Sequence, residues 1–247
     1  MKETLYYGIG GGKNDDPRMN QHFSHIAEII KERAGSETPT IAILPTAHHN
    51  GLHPDLTYRN YIKNLFQKRF GLKVIEILIG DVIDGEKNTP IQDIANILAS
   101  AHGLYVMNGD TRYLMEKLEE NNLTETFINA FNNGLFFSGS SAGCIWVGEY
   151  CMSDSEAYDD PNSWEYISVK GLGLLKGIVM NAHDDQGVRK GEKSGAKRNE
   201  IFKKMLKDEF PNMKELAVPE YAGVEIRNGE INTNLNTYQK KEDPSLT

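Results

Sequence analysis

Apolar runs of four or five residues alternate with amphipathic stretches through the first 140 positions of this 247-residue chain, and that alternation restricts the fold more than any other feature. Residues 5–9, 40–44, 74–78, 104–107 and 135–138 read as strands that are apolar on both faces. Between them, Phe23, Ile26, Ile29 and Ile30 recur with helical spacing within 22–33, and Tyr58, Ile62, Leu65 and Phe66 do so within 58–70. Further helices are expected over 91–100, 112–120 and 124–132. Strands without a polar face must be covered on both sides, and helices between them supply the cover. The pattern predicts an α/β fold: a doubly wound, mostly parallel sheet with helices on both faces. Length fits a single α/β domain over residues 1–238, with 239–247 as a flexible C-terminal tail. Residues 153–168, polar and carrying Asp154, Glu156, Asp159, Asp160 and Glu165, read as an excursion from the core.

Charge narrows the partners. Lys and Arg number 27 against 35 Asp and Glu, a net charge of −8. Nucleic acids and anionic membranes need a basic footprint, so neither is an expected partner. Met1 to Leu5 leads straight into the first strand with no apolar leader, and no apolar stretch nears membrane-spanning length. The two cysteines, Cys144 and Cys151, lie on a segment read as helical and then irregular, and two cysteines make no disulfide framework. These features predict a cytoplasmic protein, with a homodimer left open. No His/Cys cluster has ligand spacing, so no metal and no cofactor are expected.

The chemistry concentrates after the fifth strand, where Gly139-Ser140-Ser141-Ala142-Gly143 has the pattern G-x-S-x-G between a strand and a helix. A serine on such a sharp turn is presented above the sheet edge, and the small residues two positions away let strand and helix approach. Free amides at the helix start favour a developing oxyanion. A plain Gly/Ser-rich connection is the bland alternative, and the strand–turn–helix context weighs against it. The loop after the preceding strand, Asn108-Gly109-Asp110, should lie beside Ser141, which offers the Gly109 amide as a second oxyanion donor next to that of Ala142. It also reads as an ordinary glycine turn with a helix cap, and both can hold together.

A serine nucleophile needs a base, and there are seven histidines. His22, His25 and His102 fall on or beside helices. His48, His49 and His53 lie on the loop after the second strand. His183 ends the apolar strand 177–182 and is the best placed. The orienting acid is then Glu220, at the end of 216–219, with Asp184 and Asp185 as rivals.

Together these residues resemble the dipeptidase E and cyanophycinase family of serine peptidases, from the first strand to Asn228. Ser141-Ala142-Gly143 matches the family nucleophile, Asn181-Ala182-His183 looks like its Asn-Pro-His, and Val218-Pro219-Glu220 looks like its Leu-Pro-Glu. The resemblance implies a flavodoxin-like sheet related to class I glutamine amidotransferases and a Ser141–His183–Glu220 triad. It also implies a serine-type peptidase acting on short peptides, with N-terminal aspartyl dipeptides as one branch's substrates and β-linked aspartyl-arginine as the other's. Residues 194–206 resemble the family's arginine-bearing helix, which makes Arg198, or failing it Lys197, a candidate reader of a substrate carboxylate; the other reading is the solvated face of a basic helix. The chain departs from the family in having Asn108 where the first glycine of its Gly-Gly-Asn loop would stand, Asp184 in place of phenylalanine, Thr111 where cyanophycinases carry Gln, and the acidic stretch 153–168. Three rivals stand beside this reading. An esterase or amidase of α/β-hydrolase type would place its acid before its histidine. A glutamine-amidotransferase-like enzyme would need a cysteine nucleophile, and Cys144 lies one turn past the elbow. A non-catalytic binding module of the same fold is the third.

Overall fold

The computed structural model describes residues 2–51, 56–82 and 85–232. The chain runs β1 (Leu5–Ile9), α1 (Pro17–Ala34), β2 (Thr40–Leu44), α2 (Leu56–Asn64), β3 (Lys73–Glu76), α3 (Ile91–Ser100), β4 (Gly103–Val106), α4 (Thr111–Glu120), α5 (Thr124–Asn132) and β5 (Phe136–Ser140). There follow α6 (Ala142–Ile145), β6 (Gly148–Ser153), α7 (Glu156–Asp159), β7 (Ile167–Lys170), β8 (Leu175–Ala182), α8 (Arg198–Glu209), β9 (Lys214–Val218), β10 (Gly223–Arg227) and β11 (Glu230–Asn232). A seven-stranded sheet has the order β11-β10-β1-β5-β4-β2-β3. Its five central and outer strands β1, β5, β4, β2 and β3 are parallel, and β10 joins β1 antiparallel.

Alternation along these strands decides what each helix covers. Ala42, Leu44, Leu104, Val106 and Phe137 face a core shared with Ile94, Leu98, Leu114 and Phe127 of α3, α4 and α5. Their neighbours Ile41, Ile43, Tyr105 and Phe136 face the opposite core, with Phe23, Ile26 and Ile30 of α1 and Tyr58 and Ile62 of α2. Fully burying each such side chain contributes about 1.5–3 kcal/mol, so two-sided burial outweighs the modest propensities of these short strands. Two helix starts carry an acidic cap, and α1 begins at Pro17, ahead of the helix read over 22–33. Asp16 caps α1 ahead of Pro17 and accepts from the Arg18 amide, and Asp110 caps α4 by accepting from the Tyr113 amide. The helix read over 58–70 is α2 continued by a π turn at 65–69.

The α/β class is as expected, but the chain builds a second sheet that the sequence reading lacks. Its order is β7-β6-β8-β9, with β6, β8 and β9 parallel and β7 antiparallel. Cys151 lies in β6, not in irregular chain. Residues 153–168 are no excursion either. Trp164 and Tyr166 are buried in a third cluster with Met152, Val179 and the α8 residues Phe202 and Met205. The segment's acidic residues hid its two aromatic anchors. The predicted tail 239–247 lies outside the described residues, and among these no helix is long and apolar enough to cross a membrane.

The chain passes between the sheets at two places that matter below. Residues 141–147 lead from β5 in the large sheet to β6 in the small one. Residues 219–222 lead back from β9 to β10.

Candidate active site

Ser141 follows β5 directly and has φ 53° and ψ −113°, a conformation in which a non-glycine residue is strained by about 1–3 kcal/mol. The strain is imposed by crowding. A Cβ on Gly139 would lie 2.2 Å from the Gly143 oxygen, and one on Gly143 would lie 2.1 Å from the Val106 oxygen. Only glycines let β5, α6 and β4 approach this closely, which is the reason for the small residues on either side of the serine.

His183 comes one residue after β8 and Glu220 two residues after β9, so both stand on the small sheet rather than on the edge that carries Ser141. Their side chains meet all the same. His183 Nε2 is 2.8 Å from Ser141 Oγ, and His183 Nδ1 is 2.9 Å from Glu220 Oε1. With Nδ1–H donating to the carboxylate, Nε2 is left as the acceptor for the serine hydroxyl. Burial and then the charge of Arg198 hold the imidazole below its ordinary value of 6.5, with Glu220 and Asp154 pulling the other way. The ring is therefore neutral, and able to accept a proton, down to lower pH than an ordinary histidine.

Three consecutive carbonyls at the end of β1 set the backbone of this site. Ile9 O accepts from the Ser141 amide at 2.9 Å, Gly10 O from the His183 amide at 3.1 Å, and Gly11 O from the Tyr221 amide at 2.8 Å. All three donors have positive φ, at 53°, 53° and 58°. The turn after the first strand is thus a template that spaces Ser141, His183 and the residue following Glu220 one carbonyl apart. The sequence pattern marks 5–9 as a strand and assigns no role to the glycines that follow it.

Of the expected oxyanion donors, Ala142 directly follows Ser141 in the chain, and Gly109 stands on the loop after β4. Gly109 has φ +136°, and a Cβ there would fall 2.0 Å from the Ala47 oxygen, so the loops after β2 and β4 touch at this point. Among the described groups no acceptor takes the amide of Gly109 or Ala142. The other histidines are engaged elsewhere. His22 bonds Tyr7 Oη at 2.6 Å, His102 Nδ1 accepts from the Thr40 amide, and His25 lies 3.9 Å from Glu225. His48 packs on Tyr58, and His49 stacks on Tyr113 with Asp110 3.9 Å away. His53 lies outside the described residues. Cys144 is buried one turn beyond Ser141, with its thiol pushed up to about 12 by burial, and so is no nucleophile.

The two candidate carboxylate readers are placed differently. Lys197 is exposed at the start of α8, whereas Arg198 is 2% exposed. Arg198 Nε donates to Asn181 Oδ1 at 2.8 Å, its guanidinium lies over the Tyr166 ring, and its Nη1 is 3.7 Å from Asp154. Asp154 also pairs with Arg189, whose guanidinium stacks on Trp164. Burial raises the Asp154 carboxyl, but Arg198 and Arg189 outweigh it and hold it ionised. Sequence reading missed Asp154 and Arg189; the acidic stretch was the one available signal. Of the rival acids, Asp184 accepts from Asn181 Nδ2 and Asp185 from the Glu220 amide, and neither is bonded to His183 Nδ1. Among the described residues no group of three His, Cys, Asp or Glu is placed to hold a metal ion.

A family model, peptidase family S51, matches residues 9–234. A cyanophycinase of Synechococcus elongatus is 26% identical over 175 residues, covering 70% of this chain and 50% of the relative. The chain thus spans about half the length of that enzyme. The uncharacterized peptidase YgaJ of Bacillus subtilis is 24% identical over 190 residues, covering 77% of this chain and 72% of the relative. Two solved structures share the fold at 15% identity: a peptidase from an acI-B1 actinobacterium, TM-score 0.63 over 93% of this chain and 84% of that one, and a putative peptidase E from Listeria monocytogenes EGD-e, TM-score 0.59 over 93% and 97%.

Proposed function

This chain belongs to peptidase family S51, and on that premise we propose that it cleaves short peptides with Ser141 as nucleophile, His183 as base and Glu220 as the orienting acid. The observation that carries the reading is the continuous chain from Ser141 Oγ through both ring nitrogens of His183 to Glu220 Oε1, at 2.8 and 2.9 Å. Ser141 Oγ attacks the peptide carbonyl carbon while His183 Nε2 takes the hydroxyl proton. The resulting oxyanion is received by the amides of Ala142 and Gly109. The imidazolium, steadied by Glu220, then protonates the leaving amine, and an acyl-enzyme stays on Ser141. Water, deprotonated by the same histidine, releases the acid.

The finer reading is a preference for N-terminal aspartyl dipeptides. Support for it is the pair Arg198 and Arg189 around Asp154 near His183, with Lys197 exposed at the head of α8; Glu220, Asp184 and Asp185 are the other acids near the ring. Lys197 is then the better candidate to meet a substrate carboxylate directly, with Arg198 supplying charge from beneath. The test is kcat/KM for Asp-Leu and Leu-Leu with wild type, Lys197→Met and Arg198→Met. A loss confined to Asp-Leu of about 1.5–3 kcal/mol, the range for a hydrogen bond to a charged group, supports the preference. Equal losses on both substrates leave a peptidase of other specificity. Labelling by a fluorophosphonate separates the enzyme from a binding module, because only an activated serine reacts.

A further inference from the structure

The four residues from His183 to Gln186 all bond within the site, and only the first has a role in the reading above. Gln186 Nε2 donates to Glu220 Oε1 at 3.0 Å, the same oxygen that accepts from His183 Nδ1 at 2.9 Å. The orientation of this amide follows from chemistry, since turning it over would set its oxygen against the carboxylate oxygen. Asp185 Oδ1 accepts from the Glu220 backbone amide at 2.7 Å. The Gln186 amide in turn donates to the His183 carbonyl at 2.9 Å, and the Gln186 carbonyl accepts from the Arg198 amide at 3.3 Å.

We propose that Asp185 and Gln186 are positioning residues for the acid: Asp185 fixes the backbone of Glu220 and Gln186 fixes its carboxylate, so that Oε1 stays aimed at His183 Nδ1. The need arises from where Glu220 sits. It lies on the passage between two sheets rather than inside a strand, and its side chain is 30% exposed. Water competes for a carboxylate in such a place, and a glutamate has several rotamers available to meet it. A neutral amide donor anchored three residues after the base removes that freedom without adding a charge that would compete with the imidazolium for the carboxylate. Asp185 answers a second problem. Residues 219–222 carry no strand pairing of their own, and a side-chain acceptor on the Glu220 amide takes the place of the missing ladder bond. Base and acid are therefore built as one unit, the acid being gripped by the two residues nearly adjacent to the base.

The inference rests on the Ser141–His183–Glu220 reading, and the experiment keeps the two apart. The readouts are the second-order rate of fluorophosphonate labelling, which needs no known substrate, and the downfield proton resonance of an imidazole Nδ1–H bonded to a carboxylate. With Gln186→Met the labelling rate falls about 10- to 100-fold, as for loss of one hydrogen bond to a charged group, and the resonance broadens or disappears while thermal unfolding stays near wild type. Asp185→Asn keeps an acceptor and labels near the wild-type rate, whereas Asp185→Ala is slowed. A merely structural role would change melting and leave the resonance and the Asn rescue untouched. Labelling of Gln186→Met at the wild-type rate with the resonance intact, or equal behaviour of Asp185→Asn and Asp185→Ala, overturns the inference while Glu220→Gln remains slow. If Glu220→Gln labels as fast as wild type, the triad reading falls and takes the inference with it.

Discussion

Alanine at Gly11 drives a methyl group into the imidazole of His183. An ideal Cβ at this position lies 2.1 Å from His183 Cε1, 2.6 Å from Nε2 and 2.7 Å from Nδ1, where ordinary contact begins at 3.4 Å. The ring must retreat by about 1.3 Å to restore contact distance, and a 2.8 Å bond to Ser141 Oγ does not survive a shift of that size. Misplacement by about 1 Å at a reacting centre costs on the order of 100-fold in rate. Gly11 also has φ +122°, so alanine adds strain of about 1–3 kcal/mol, or a few degrees of melting temperature for each kcal/mol in a chain of this size. Gly35 supplies the control. It has φ +55° but nothing within 4 Å of its Cβ, so alanine there brings strain without a clash. The expected result is that both variants melt earlier, while only Gly11→Ala loses about 100-fold in kcat/KM and in fluorophosphonate labelling. Wild-type labelling of Gly11→Ala, or an equal loss in Gly35→Ala, would refute the claim that this glycine makes room for the base.

Other outcomes follow from the same contacts. Ser141→Ala should abolish labelling and cut turnover by about 10⁴- to 10⁶-fold with the fold intact by circular dichroism; turnover near wild type in a clean preparation removes the nucleophile assignment. The acid limb of the kcat/KM profile reports His183 in the free enzyme and should fall below pH 6.5, since burial and Arg198 disfavour the imidazolium and the neutral ring is the active form. Arg198→Met should move that limb to higher pH and Asp154→Asn to lower pH, and shifts in one common direction would contradict the assignment of their charges. Asn181→Leu strips the buried Arg198 Nε of its acceptor and should cost about 1.5–3 kcal/mol in urea unfolding, a loss that Asn181→Asp, which keeps an acceptor, should reduce. Iodoacetamide should leave Cys144 and Cys151 unmodified in the native enzyme, because both thiols are buried and pushed well above their ordinary range; rapid alkylation would mean that α6 or β6 opens.

What the sequence made readable is what short-range pattern encodes. Five parallel strands announce themselves, four because they are buried along their whole length and the edge strand β3 through Val74 and Ile75, and Ser141 because a strand, a tight turn and a helix follow one another directly. His183 and Glu220 were found from strand ends and family likeness, yet the reason they meet Ser141 was not visible. It depends on β6, β8 and β9 forming a separate sheet, and on carbonyls 9–11 reaching residues more than 130 positions away. No local periodicity encodes such pairings. Residues 153–168 were misread for a related reason: charge dominates the segment, and the burial of Trp164 and Tyr166 depends on α8, which arrives some forty residues later. Arg198 reads in sequence as one cation among several on a basic helix. Its burial is set by Asn181 and Tyr166, which are distant in the chain.

Ser141, His183 and Tyr221 share a left-handed backbone, and this bears on how the protein can be improved by selection. Each position holds a local reserve of stability that a single substitution could release, since glycine adopts a positive φ at less cost. At Ser141 and His183 that gain is barred by the loss of the reacting groups. Tyr221 is the open door: it has no hydrogen bond to the serine or the imidazole, its amide is tied to Gly11, and its ring lies against Gly12 and under the guanidinium of Arg18. Glycine or asparagine at 221 keeps the amide bond to Gly11 but gives up the ring's contacts with Gly12, Lys13 and Arg18, so a library screened for heat resistance weighs relief of backbone strain against those contacts. The position directly follows Glu220, so a directed-evolution campaign would have to score activity as well as stability there.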